Sequence, residues 1–371
     1  MGLRKASQAV QFNKVNRIDD DEAQVQKAQL WESLCSAERI AGMITNIPSG
    51  TRRYQPREFQ ALTVDGVVQS RRYLARITDI AAKIQYLDDM ETTESYASAL
   101  ELDRELRVLS SQTPKSWWAE NLEHVAPDHV VQFLHYSIMM RLHLTFTVRQ
   151  DPGDEYTYSR LACMDACECV AQRYQFLRGA LPPGVFLARF LDLQAFTATV
   201  VLLLTSQSSN STDRLSLQTD KAKIDRIVGQ VVRVMDEKSN DTTGFEFAQH
   251  GAMTIRSLSA LLVQDYDVSK VTELTLRVPL LGKVNVRRNV SMLQAPHPNN
   301  PRFPQIPTEW GTYNRNEQSY SEQRRQPLNI DASTGQAVQP QQAWQWDPLS
   351  WSVEDTYENF FLEENFDQFT M

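Results

Sequence analysis

The chain has 371 residues, 42% of them apolar and 23% charged, close to soluble globular averages, which excludes general disorder and a fibrous class and suits one large domain or two ordinary ones. Its formal charge of −8 excludes nucleic-acid binding through a broad basic surface, because phosphate neutralisation needs clustered Lys and Arg. Four cysteines do not make the disulfide framework of a small secreted domain, and a reducing compartment fits better.

The N-terminus, MGLRKASQAV, has no apolar signal core, and Ala6 stands where a myristoylation site needs Ser or Thr. The acidic run Asp19 to Glu22 precedes an apolar helix start and reads as a solvated, dipole-favoured first turn. Helical periodicity then recurs to about residue 263. Tyr73, Ile77, Ile80, Ile84 and Leu87 are spaced 4, 3, 4, 3 and line one helix face. Ala99, Leu102, Leu106 and Leu109 repeat the pattern. Val131, Leu134, Ile138, Leu142 and Thr145 do so again after Pro127, which the first helical turn tolerates. Cys163, Cys167, Val170, Tyr174 and Leu177 form another stripe, LDLQAFTATVVLLL is apolar nearly all round and predicts a helix buried on several sides, and two further stripes are Ile224, Ile227, Val231, Met235 and Ile255, Leu258, Leu262. Its most apolar run, Ala195 to Thr205, is far short of the roughly 20 residues that span a bilayer. QTPKS, RQDPGDE and SQSSNSTD read as surface connectors. No internal repeat of fixed period occurs.

The expected fold is all-α, built of stacked antiparallel helices over residues 1–265. After that the composition shifts. LTLRVPLLGKVNVRR alternates apolar and polar residues around Leu-Gly-Lys and predicts a small hairpin within 266–294. Residues 295–342 are rich in Pro, Asn and Gln and predict a disordered linker. The tail, 343–371, is acidic and aromatic.

Chemistry is scarce along the helices. Neither G-x-G-x-x-G nor G-x-x-x-x-G-K-[ST] occurs, no G-x-S-x-G elbow, and no H-E-x-x-H among six scattered histidines. CMDACEC tempts one toward zinc, but helical phase puts Cys163 and Cys167 on the core stripe and Cys169 roughly opposite, so four ligands do not converge. The reading is therefore not an enzyme, with no catalytic residue, no cofactor and no metal in this chain.

Several stretches, in order, resemble the fungal-specific transcription factor (middle homology) region of fungal zinc-cluster transcription factors. Leu30 to Gly50, LWESLCSAERIAGMITNIPSG, is similar to a Trp-x-x-Leu-x-x-x-Asp-Arg stretch of the family, with Glu38-Arg39 in place of Asp-Arg and Asn46-Ile47-Pro48 near its end. LDRELRVLSSQTPKSWW resembles a helix leading into a Leu-Pro-x-x-Trp turn, YTYSRLACMDACECV carries a Tyr-x-x-Ser-Arg-x-x-Cys opening, and LDLQAFTATVVLLL matches a further helix. The resemblance implies an all-α fold, nuclear residence and transcriptional regulation, often of a metabolic gene set, with no catalytic residues. Relatives bear an N-terminal six-cysteine cluster holding zinc, and no such cysteines occur here. Two expectations stay open: either that cluster was lost upstream of Met1, or the chain borrows a zinc-cluster partner. Direct DNA binding by these 371 residues is not expected.

The tail raises a separate question. Residues 343–371 hold eight of the chain's 34 aromatics, Trp344, Trp346, Trp351, Tyr357, Phe360, Phe361, Phe366 and Phe369, among seven carboxylates and no Lys or Arg. The carboxylates keep such a segment open and its rings soluble. Ser352 with Asp355 gives an S-x-x-D capping signal, after which Val353, Tyr357, Phe360 and Phe361 share a helical face that can fold into a partner groove. Acidic-hydrophobic mixtures are a signature of activation domains, and the expected partner is transcription machinery or a coactivator. The alternative is that the tail docks back on its own helices, which would be autoinhibition. At the level of the whole chain, the first reading is a regulator with an activating tail, and the other is a helical scaffold or dimerisation protein without transcriptional output.

Overall fold

A computed structural model describes residues 21–45, 47, 49–51, 61–87, 90, 92–119, 125–148, 154–181, 186–208, 221–239, 246–262, 273–287 and 344–347. Contacts divide the chain into residues 1–288 with 344–371, and residues 289–343, and every described residue lies in the first unit. Its element order is α1 (Asp21–Thr45), β1 (Thr63–Val64), β2 (Val67–Val68), α2 (Ser70–Ile84), α3 (Thr92–Ser111), a 3-10 turn (Lys115–Trp118), α4 (Pro127–Thr147), α5 (Thr157–Ala180), α6 (Phe186–Ser208), α7 (Lys221–Lys238), α8 (Glu246–Leu262), β3 (Glu273–Val278), β4 (Gly282–Arg287) and β5 (Trp344–Asp347). The fold is all-α: α1 lies on α2, α2 and α3 on α4, α4 on α5, and α6, α7 and α8 continue the stack.

The stripes read from the sequence are core faces. Tyr73, Ile77, Ile80, Ile84 and Leu87 are buried, as are Ala99, Leu102, Leu106 and Leu109. Two members depart: Thr145 and Leu262 are half-buried, while Leu261 goes into the core in place of Leu262. The β1–β2 ladder was not expected. Its two-residue Asp65-Gly66 turn has φ of 51° and 78°, and the Asp-Gly dipeptide between valines is the local signal that such a turn requires.

At the C-terminal half of α1 the Glu38-Arg39 pair is structural. Glu38 accepts hydrogen bonds from Gly50 N–H at 3.0 Å, Thr51 N–H at 3.0 Å and Ser49 Oγ at 3.1 Å. Arg39, fully buried, donates to Asp79 of α2 at 3.2 Å and to the Thr51 carbonyl at 3.1 Å. The motif thus folds its own Ser-Gly-Thr loop back onto the helix and ties both to α2. Charge-assisted bonds of this kind contribute about 1.5–3 kcal/mol each. Gly42 permits the closure, since a Cβ there would meet the Ile47 carbonyl oxygen at 2.7 Å.

α4 is the hub. Pro127 opens it, the His129 imidazole accepts the Ala126 N–H at 2.9 Å, and from Val131 to Thr147 nearly every side chain is buried, polar ones included. A single stripe spaced 3, 4, 4, 3 understates a helix that contacts α2, α3 and α5 at once. α6 is apolar over more than the run from Ala195: Leu187–Ser206 is long and apolar enough, by length and composition, to cross a membrane, and 83% of its most apolar window is buried inside the helical unit. That is the position of a core helix.

Candidate functional site

The strands sit beyond α8, which contacts β3, as does α6. β3 and β4 form an antiparallel hairpin from Glu273↔Arg287 to Val278↔Gly282. The turn falls at 279–281 rather than on Leu-Gly-Lys, with Leu280 at φ 68° and Gly282, the first residue of β4, at φ 76°. Even-numbered positions of both strands, Leu274, Leu276, Val278, Val284 and Val286, are buried, and odd-numbered ones are not, the alternation of a sheet with one covered face.

The tail begins on this sheet. β5 pairs antiparallel with the free edge of β4, placing Trp344 opposite Val286, Gln345 opposite Asn285, Trp346 opposite Val284 and Asp347 opposite Lys283. Of the eight aromatics expected to bind a partner, Trp344 and Trp346 therefore lie in a strand, and Trp351, Tyr357, Phe360, Phe361, Phe366 and Phe369 lie outside the described residues, as do Ser352 and Asp355. The intervening linker sets the tail apart in sequence, yet its first turn-free stretch, WQWD, belongs to the folded unit.

A second feature was not legible as a site. An open groove of about 550 Å³ runs along α3, lined by Leu100, Asp103, Arg104, Arg107 and Val108, with Tyr158 from α5. Under it lies a buried polar chain joining three helices. Ser159 Oγ lies 3.0 Å from His143 Nδ1, and His143 Nε2 lies 3.2 Å from Asp103 Oδ1. Asp103 also accepts from Arg107 Nε at 2.9 Å and from the Tyr158 hydroxyl. Burial alone would raise the Asp103 pKa, but donors from His143, Arg107 and Tyr158 outweigh it and hold the carboxyl at about 2. An ionised Asp103 only accepts, so His143 Nε2 donates to it. The order Ser-His-Asp matches a hydrolytic triad, but Ser159 and His143 are fully buried, so no carbonyl reaches the hydroxyl. The chain locks α3, α4 and α5 together.

Nearby, Tyr73 of α2 lies 3.0 Å from His135 Nδ1 of α4, within a cluster of Trp117, Trp118 and Tyr136 rings. Burial, followed by the Arg173 and Arg107 guanidiniums, drives the His135 pKa down to about 3. α5 and α6 are joined by a buried group in which the Tyr174 hydroxyl at 2.7 Å and Arg178 Nε at 2.9 Å both donate to Asp192 Oδ1. Cys163 and Cys167 are fully buried, and burial pushes the Cys169 thiol up to about 11. Among the described residues no three His, Cys, Asp or Glu converge on a point where a metal ion could be held.

No protein-family model matches the chain, and no solved structure matches it. Curated proteins do, among them the following three. It is 21% identical over 324 residues to "Transcription factor sdnS" of Sordaria araneosa, covering 81% of this chain and 41% of that one. It is 28% identical over 174 residues to a "Dehydrocurvularin biosynthesis regulator" of Aspergillus terreus, covering 43% and 24%, and 21% identical over 280 residues to the regulator of that name from Alternaria cinerariae, covering 72% and 36%. The chain thus spans less than half the length of each of these relatives, all of which are named as fungal transcription factors or pathway regulators.

Proposed function

We propose that this protein is a fungal transcriptional regulator of a biosynthetic gene set, acting in the nucleus through its helical unit and its acidic-aromatic tail. The observation that carries the reading is the extent of the similarity: it reaches across 81% of the chain to a relative named as a transcription factor, and two more relatives are named as biosynthesis regulators. A folded, all-α unit with a buried Ser-His-Asp chain and no accessible nucleophile on it fits a carrier of signals rather than an enzyme. No six-cysteine zinc cluster occurs within the 371 residues, so sequence-specific DNA reading is assigned to a zinc-cluster segment or partner outside them. Residues 343–371 recruit transcription machinery by laying Tyr357, Phe360 and Phe361 into an apolar groove of the partner.

The test joins residues 343–371 to an unrelated DNA-binding module in a reporter strain. Activation at least tenfold over the module alone is expected, with most of it lost in Phe360→Ala/Phe361→Ala. A silent fusion, or one indifferent to that pair, removes the tail from the mechanism.

A further inference from the structure

The edge of β4 is matched to the WQWD segment rung by rung. Leu274, Val286 and Trp344 share one rung, Thr275, Asn285 and Gln345 the next, then Leu276, Val284 and Trp346, then Arg277, Lys283 and Asp347. Apolar meets apolar, amide or hydroxyl meets amide, and a carboxylate meets the strand position of Lys283, beside which Arg277 adds a second cation. Like charges opposite each other on neighbouring strands repel and an opposite charge stabilises the rung, so Asp347 arrives where the hairpin most favours an anion. A slip of one residue would set both tryptophans against Asn285 and Lys283 or beyond, undoing every match at once. Four consecutive rungs agreeing in chemistry specify both the register and the antiparallel direction.

The two partners differ in how firmly each is held. β3 and β4 share six rungs and the hairpin rests on α8 and α6, so the sheet does not depend on a third strand. β5 is four residues long, the lower end of strand lengths, and it is attached to one edge only. Its departure would leave an ordered, open β4 edge, a surface to which an extended segment can be added by main-chain hydrogen bonds.

We propose that the β4 edge is a strand-docking surface whose occupant is Trp344–Asp347 of the same chain, and that this strand exchanges between docked and released states. Building on the reading of the tail as the partner-binding segment, docking ties the Trp344–Asp347 backbone to β4, so a partner that takes the whole tail competes with the sheet. The ligand class of the edge is an extended aromatic-polar-aromatic-Asp strand, antiparallel to β4.

The test uses the full chain with Cys169→Ser throughout. Asn285→Cys/Gln345→Cys places two thiols on one rung, where cross-strand Cβ atoms lie about 4.5–5.5 Å apart, and Asn285→Cys/Gln342→Cys is the off-register control. Under mild oxidation the rung pair closes within the chain at least tenfold faster than the control. A fluorescein-labelled peptide of residues 341–350 then binds Trp344→Lys/Trp346→Lys, whose edge is vacated, at least tenfold more tightly than it binds the disulfide-locked chain. Equal closure of the two cysteine pairs, disulfides formed only between chains, or equal peptide binding to locked and vacated proteins overturns the dock. Should the lysine variant fail to fold, the closure rates alone decide. Both readouts are independent of reporter activation, so loss of the activating role and loss of the dock are told apart.

Discussion

α4 and β5 are held in place in opposite ways. α4 lies among α2, α3 and α5 with almost its whole surface buried, and its polar groups are drawn into bonds with neighbours on every side: His135 to Tyr73, His143 to Asp103 and Ser159. β5 touches one strand along four rungs. The hub can be disturbed only at the expense of the whole unit, whereas the edge strand can leave without it. A protein built this way carries its stability in one region and its adjustable surface in another, as expected where local opening is confined to elements with few buried contacts.

The comparison breaks most severely at the α5–α6 ion pair next to the hub. Asp192 is fully buried and accepts from both Tyr174 and Arg178. Asp192→Ala strands the Arg178 charge in the interior, and removal of one partner of a buried pair costs about 3–5 kcal/mol. Chemical denaturation should show a loss of that size in global stability. A loss below about 1 kcal/mol would mean that the helical unit does not depend on the polar groups joining its layers.

How legible these regions were follows from how local their signals are. The stripe Tyr73, Ile77, Ile80, Ile84, Leu87 needs only the 3.6-residue period, and all five are core residues. The hub was harder. Gln132, His135, Arg141 and His143 interrupt the apolar pattern of α4 and yet are buried; Gln132 bonds to the Trp117 carbonyl, His135 to Tyr73 and His143 to Asp103 and Ser159, partners outside α4 that its own pattern does not contain. His143 was dismissed as one of six scattered histidines for that reason, and Ser159 and Asp103 sit 16 and 40 residues from it in the chain. The tail shows the same limit over a longer span. Its acidic-aromatic composition is visible at once, but the fit of WQWD to the KVNV alternation in β4 exists only as a register between residues 283–286 and 344–347. Helical resemblance motifs such as Glu38-Arg39 were recognised by order and spacing, and their work in closing the Ser49–Thr51 loop became clear only from the contacts.

Titration of His135 disturbs the hub more gently and reversibly. With a folded pKa near 3 against about 6.5 in an unfolded chain, the unfolded state binds the proton first as pH falls. Stability from this residue is therefore complete above about pH 6.5 and declines steadily toward pH 3. Asp103, held at about 2 against its usual value of 3.8, adds stability that is present above about pH 4 and is lost only below it. Thermal unfolding from pH 7 to pH 4.5 covers the histidine's range and stays above that of Asp103: the melting temperature should fall with acidification, and His135→Gln should flatten that slope while lowering stability at pH 7. An unchanged slope in the variant would place the pH dependence elsewhere.

The smallest global effect is expected at the edge. Asp347→Lys puts a third cation on the rung of Arg277 and Lys283, and cross-strand charge pairs are worth only about 0.2–1 kcal/mol. Because the hairpin rests on α8 and α6, denaturation midpoints should move by no more than that. Hydrogen exchange resolves what the midpoint hides. The β4 amides that bond to β5 should exchange up to about fivefold faster in Asp347→Lys, the factor that about 1 kcal/mol corresponds to, while amides of α4 keep their protection, since exchange there requires the hub to open. Raising the salt concentration in the wild type should move the same β4 amides in the same direction, as screening weakens attraction between opposite charges on one rung, and by less than the substitution does. Should α4 and β4 amides accelerate together, β5 would be part of the cooperative core, and the division between a fixed hub and an adjustable edge would fall.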